Sequence, residues 1–205
     1  PVLIAAGVML FGVLAFDMMG VLVRMLGGTY PILQIAVLRN LFGVLPAVFL
    51  LWRAGAFASL PAMMNRRLLL LTLIRSMAVV LAQFSFYTAL TRIEFATATA
   101  LAFCGPMFIT ALSIPVLGHH VGVWRWSAII IGFVGVITIM QPFEDGFVWF
   151  MVLPVMAAFF YAVSSILVRL FPSEMPSAAI QLNQQVLTCV IALAALLIFQ
   201  QPVPV

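Results

Sequence analysis

The 205-residue chain is 66% hydrophobic and only 7% charged, with a mean hydropathy of +1.29, against roughly 45–50% apolar and about 25% charged for an ordinary globular domain. Such a composition excludes water as the main solvent. All nine basic residues are arginine, so the net charge of +4 and the pI of about 9.8 rest on few side chains and point to anionic lipid headgroups rather than nucleic acid, which needs a clustered basic surface.

A bilayer core about 30 Å thick takes roughly 20 helical residues. Seven apolar runs reach that length or nearly so, over 2–23, 32–52, 68–90, 96–117, 126–141, 148–170 and 178–199. None alternates polar and apolar residues in the manner of a membrane β-strand. Hydrocarbon offers the backbone no other hydrogen-bond partner, so each run is predicted to be a helix and the chain an all-α transmembrane bundle. The breaks between runs are too short to hold a folded domain.

Span one carries Asp17 about fifteen residues in. It lacks the basic start and small-residue cleavage site of a signal peptide, and an opening at Pro1 rather than Met is read as a processed or partial chain. Span two carries Arg39, and span three Arg75 followed by Ser76, Gln83 and Tyr87 on one helical stripe. Span four contains Cys104 and then Gly105-Pro106, which removes a backbone donor in mid-membrane and implies either a simple kink or carbonyls exposed to a solute. His119 and His120 follow in a loop without acidic or cysteine neighbours, so they are read as solvated and no metal site is expected. Span six carries Tyr161, and span seven Gln181, Asn183, Gln184, Gln185 and Cys189. Both cysteines are expected to be unpaired.

An ionised side chain in hydrocarbon costs at least about 2.5–3.5 kcal/mol. Asp17, Arg39 and Arg75 are therefore the first candidates for a site, unless they form a purely structural lock. Pairing Asp17 with one arginine would lower the cost of both and leave the other free for an anionic group. Gln83, Tyr87, Tyr161, Asn183 and Gln184 complete the candidate solute-binding set, although polar stripes of this kind also serve as packing glue between helices.

Arginine placement sets the orientation. Arg53, Arg66, Arg67, Arg125 and Arg169 fall on the face that holds the N-terminus, against Arg24 and Arg92 on the other, which also carries Glu94, Glu144 and Asp145. Five against two puts the N-terminus in the cytoplasm.

An offset of 145 residues aligns Val21 to Leu26 with Ile166 to Phe171, including Arg24 with Arg169, and pairs Pro31 with Pro176, Phe16 with Tyr161 and Arg39 with Gln184. Five spans separate the copies, so the second enters the membrane in the opposite sense. The expected organisation is one five-helix unit over residues 1–141 and the start of an inverted second unit over 147–205. Two flipped units exchanging inward-open and outward-open shapes are a physical route to alternating access, with a site near the midplane.

The stretches Leu38-Arg39-Asn40-Leu41-Phe42, Phe86-Tyr87-Thr88-Ala89-Leu90, Ala96 through Leu101 to Pro106, and Gly118 with Trp126, Gly132 and Gly135 together resemble the EamA-type branch of the drug/metabolite transporter superfamily. Within it the chain is most similar to the S-adenosylmethionine uptake carriers. The resemblance implies ten helices in two inverted five-helix repeats around a central cavity, of which seven spans are present. Two positions depart from the family pattern: His119 replaces a usual Glu, and Phe16-Asp17 stands near a usual Trp-Gly pair.

The expected function is secondary transport of small polar metabolites, amino acid-like, nucleoside-like or S-adenosylmethionine-like, in the bacterial inner membrane, with Asp17 the candidate for carrying a coupling proton. An intramembrane enzyme is the rival, but H-E-x-x-H and G-x-S-x-G are both missing and no His lies in a span. A channel or structural subunit is the third reading. No cofactor is expected. The small residues Ala96, Ala98, Ala100, Gly132 and Gly135 would let a second copy pack closely as a homodimer.

Overall fold

The computed structural model describes residues 2–59, 61, 65–118, 122–142 and 148–199. It is all helix among these residues: α1 (Val2–Leu26), α2 (Ile32–Arg53), α3 (Arg66–Arg92), α4 (Phe95–Ala102), α5 (Gly105–Leu117), α6 (Val123–Met140), α7 (Val152–Val168) and α8 (Ser177–Phe199), with single 3-10 turns at Phe57–Ser59 and Trp149–Met151. Among the described residues seven segments are long and apolar enough to cross a membrane, α4 and α5 together making one of them. The chain is a multi-pass membrane protein. The expectation for His119 and His120 lies outside the described residues, as do Glu144 and Asp145.

Local chemistry sets the helix ends. Asn65 caps α3 by accepting from the Arg67 backbone N–H at 3.2 Å, which satisfies one of the donors that a helix start leaves open. Gly118, at φ 65°, turns the chain left-handed after α5, and Gln141, at φ 43°, does so after α6. Several hydroxyls inside the spans bond back to their own helix, as Thr72 Oγ1 does to Leu68 O (2.8 Å) and Thr110 Oγ1 to Pro106 O (2.9 Å). No hydroxyl of this kind then needs a partner across the lipid.

The break expected at Gly105-Pro106 is present. Span four divides into α4 and α5 at Phe103 and Cys104, where tight i to i−3 bonds carry the turn, with Cys104 N donating to Leu101 O and Met107 N to Cys104 O. Cys104 is buried, and Cys104 and Cys189 are both free thiols.

Helix α3 is the hub: 56% of its span is buried, against 11% for α1. It packs most closely on α7, and α2 on α8. Small side chains allow the first contact, with Ala78, Ala82 and Ala89 of α3 and Ala157, Ala158 and Ala162 of α7 all at or below 5% exposure. Close backbone approach maximises dispersion contact where lipid supplies no hydrophobic drive. The α2–α8 pair runs antiparallel: Asn40 meets Gln185, and further along α2 Ala47 and Leu51 meet Leu182 and Ala179.

Candidate functional site

The polar side chains inside the bundle fall into an amide cluster, two separately held arginines and two cavities. Asn40 of α2, 1% exposed, donates from Nδ2 to Gln83 Oε1 of α3 at 2.9 Å, and Gln83 Nε2 donates back to Asn40 Oδ1 at 3.2 Å. Gln185 of α8 donates from Nε2 to the Asn40 carbonyl oxygen at 2.9 Å and to Asn40 Oδ1 at 3.2 Å. Three amides from three helices thus satisfy one another where water is scarce. Gly43, one turn beyond Asn40, leaves room for this cluster, because a Cβ there would run into the Gln185 amide.

The arginines do not pair with Asp17. Arg39 Nε donates to the thioether Sδ of Met19 at 2.9 Å, and Arg75 Nε to the Ser164 carbonyl oxygen at 3.2 Å. Among the described residues Asp17 makes no hydrogen bond or ion pair. A pairing of Asp17 with an arginine, which would have lowered the cost of both charges, is therefore absent among the described residues. The reason is helix facing: Asp17 turns toward α3 and α7, whereas Arg39 reaches the opposite side of α1, at Met19 two residues on.

Several polar groups between the helices are tightly enclosed. Ser76 Oγ donates to the Gln184 carbonyl oxygen at 3.3 Å, while Arg75 Nη1, Gln184 Oε1 and Thr188 Oγ1 are buried without a partner. Tyr87, fully buried, points its hydroxyl at Met19 Sδ from 4.0 Å. The offset pairing of Arg39 with Gln184 does not produce matching contacts, since the Arg39 side chain reaches Met19 of α1, whereas it is the Gln184 backbone carbonyl that Ser76 of α3 meets.

A cavity of about 350 Å3 lies between α1, α3, the α4–α5 break and α7. Asp17 and Tyr161 line it, together with Phe16, Phe86, Thr99 and Phe103. The Phe16 and Phe86 rings are stacked, 6.0 Å between centroids and 26° between planes. Its α1 wall is the stripe Met9, Gly12, Val13, Phe16 and Asp17, which one helix face presents at steps of three and four. A second cavity, about 570 Å3, separates α1 from α2 and is lined by Met19, Tyr30, Gln34 and Arg39 among apolar side chains. Both volumes fall within the roughly 300–1,000 Å3 of small-molecule pockets.

Of the eight candidate residues, Asp17 and Tyr161 come together in one cavity and Arg39 lines the other. Arg75, Gln83, Tyr87 and Gln184 are buried between helices. Asn183 is half-buried and makes no hydrogen bond. The sequence reading missed Asn40, Gln185, Met19, Ser164 and Gly43 as participants. The signal for the first two was the 145-residue offset, which relates position 40 to position 185. Among the described residues no cluster of three or more His, Cys, Asp or Glu is suited to hold a metal ion.

Residues 3–141 match the EamA-like transporter family. The chain is also similar to two curated proteins named riboflavin transporter. One, from Rhizobium johnstonii, is 39% identical over 72 residues, covering 35% of this chain and 24% of the relative. The other, from Vibrio cholerae serotype O1, is 40% identical over 75 residues, covering 37% of this chain and 25% of the relative. The chain thus spans about a quarter of the length of each relative it matches. Neither relative is named for S-adenosylmethionine, so the branch expected from the sequence finds no support in these matches. No solved structure gives a significant match.

Proposed function

Because the chain belongs to the EamA-like transporter family, we propose that it is a secondary-active carrier of small metabolites that present a planar heteroaromatic ring, flavins first and nucleoside-like solutes second. The observation that carries this reading is the cavity in which the stacked Phe16 and Phe86 rings share one wall system with Tyr161 and the unpaired Asp17 carboxylate. Aromatic side chains bind a flat π-system through offset or edge contacts. A carboxylate facing the same space accepts from ring N–H groups or hydroxyls, which fixes the solute's orientation. The two riboflavin-transporter relatives support the flavin member of the class.

The carrier works by alternating access between two inverted units, residues 1–141 and the unit that begins at 147, within a ten-span protein in the bacterial inner membrane with its N-terminus in the cytoplasm. Support comes from the antiparallel α2–α8 crossing at two residues 145 apart and from the arginine distribution. Residues 103 and 104, where span four breaks, border the solute cavity through Phe103, so the break lets that wall move without bending a continuous helix.

Uptake of labelled riboflavin and labelled adenosine into proteoliposomes tests the reading. Saturable uptake that Phe16→Ala and Tyr161→Ala each lower about tenfold supports it. Saturable uptake untouched by both substitutions would move the solute elsewhere, and flux that rises without limit with concentration would make the protein a channel.

A further inference from the structure

We propose that the cavity between α1 and α2 is a second binding site, and that it takes an oxyanion carrying a hydroxyl donor, such as a phosphate monoester or a hydroxycarboxylate. This goes beyond the ring-binding cavity, whose lining residues are different.

Three observations converge. Arg39 lines this cavity with a positive charge that no carboxylate among the described residues neutralises, and the acceptor of its Nε is a thioether, Met19 Sδ. Thioether sulfur is a weak acceptor, whereas charges held away from water are normally matched by an opposite charge or by strong hydrogen bonds. Gln34, on the same wall, has its Oε1 shielded from water and without a donor. The space itself, about 570 Å3, runs from Leu26 and Tyr30 at the α1–α2 turn to Arg39 and Phe42 deeper along α2, which puts the guanidinium at the end away from the turn.

The two unmet groups define the ligand. Arg39 offers donors in a planar fork, which suits a carboxylate or phosphate. Gln34 Oε1 asks for a donor, which a fully ionised sulfate lacks and a hydrogen phosphate or a hydroxyl neighbouring a carboxylate supplies. The rest of the lining, including Leu22, Ile35 and Leu38, is apolar and keeps bulk water from competing with these contacts. Tyr30 at the mouth adds one further hydroxyl.

Thermal unfolding of the protein in phosphatidylcholine nanodiscs tests this, with sodium phosphate, sulfate and chloride compared at matched ionic strength. Phosphate is expected to raise Tm saturably and more than sulfate does. Arg39→Gln abolishes the rise, Arg39→Lys keeps much of it, and Gln34→Leu removes the advantage of phosphate over sulfate. Phe16→Ala leaves the phosphate response intact, so failure of the ring-cavity reading and failure of this one are read separately. Replacing part of the lipid by phosphatidylglycerol distinguishes the source: an Arg39-dependent rise with that lipid that blocks the phosphate response identifies a headgroup phosphate as the occupant. The proposal is overturned if no oxyanion stabilises the protein beyond chloride, or if Arg39→Gln responds like the parent protein.

Discussion

Asn40 and Gln185 touch where α2 and α8 cross, and they are separated by 145 residues, the same offset that aligns Arg24 with Arg169 and Pro31 with Pro176. In an antiparallel pair built from two equivalent helices, a residue meets its own counterpart only at the symmetry axis. Each lies eight residues after its helix start, Ile32 or Ser177, roughly 12 Å along the helix. The hydrogen bond between them therefore joins equivalent depths of two oppositely directed spans.

Removing the shared amide is expected to cost more than removing either partner's bond. Asn40→Leu strands both the Gln83 and the Gln185 side chains; a buried polar group left unpaired costs about 1–3 kcal/mol in water-soluble proteins, while an interhelical hydrogen bond in a membrane averages about 0.6 kcal/mol in double-mutant cycles. A loss of about 1–2 kcal/mol is expected, measured as a shift of the thermal unfolding midpoint in detergent. An Asn40→Leu protein as stable as the parent would show that the amide cluster contributes nothing net.

Two glycines with crowded surroundings should respond differently to alanine. At Gly43 a Cβ meets the Gln185 amide, which is fixed by Asn40, whereas at Gly132 it meets the flexible end of Met107. Gly43→Ala is expected to destabilise by about 1–2 kcal/mol because the amide must leave its acceptor, and Gly132→Ala by less than about 1 kcal/mol because a thioether side chain has other rotamers. Equal unfolding midpoints for the two variants would contradict this ordering.

Asp17→Asn should separate transport from stability. Asp17 holds no hydrogen bond or ion pair among the described residues, so the substitution is expected to leave the unfolding midpoint unchanged or raise it, because it removes an uncompensated charge from a span. The proposed orienting role makes riboflavin uptake fall at least about tenfold, since one lost charge-assisted hydrogen bond is worth about 1.5–3 kcal/mol. Uptake at the parent rate would remove Asp17 from the site.

The proposed inverted arrangement would place the turns after the first and sixth spans on opposite faces. In a background carrying Cys104→Ala and Cys189→Ala, Thr29→Cys and Ser173→Cys, both at exposed positions, are expected to react with a membrane-impermeant maleimide from opposite sides, Thr29→Cys from the periplasmic side. Labelling of both from one side removes the inverted repeat.

Much of the fold was legible because a bilayer imposes length and composition on every span. The run predicted over 32–52 is α2 (Ile32–Arg53), and the break expected at Gly105-Pro106 is the α4–α5 division. The site was less legible. Arg39, Arg75 and Asp17 stood out as charges, but Asn40 is a neutral residue inside a motif that served only to mark a resemblance, and Met19 is an apolar residue that becomes the acceptor for Arg39.

By itself the sequence determined that the backbone must satisfy its own hydrogen bonds within about 20-residue apolar stretches, and hence the seven segments among the described residues that are helical, long and apolar enough to cross a membrane. The tertiary structure alone decided which way each polar side chain faces: Asp17 toward Tyr161 rather than toward an arginine, Arg39 toward α1, and Asn40 toward Gln185. The physical reason is that a lipid-exposed helix and a buried helix are both apolar all round. Their sequences carry almost no period to say which face turns inward, and the packing of neighbouring spans settles it.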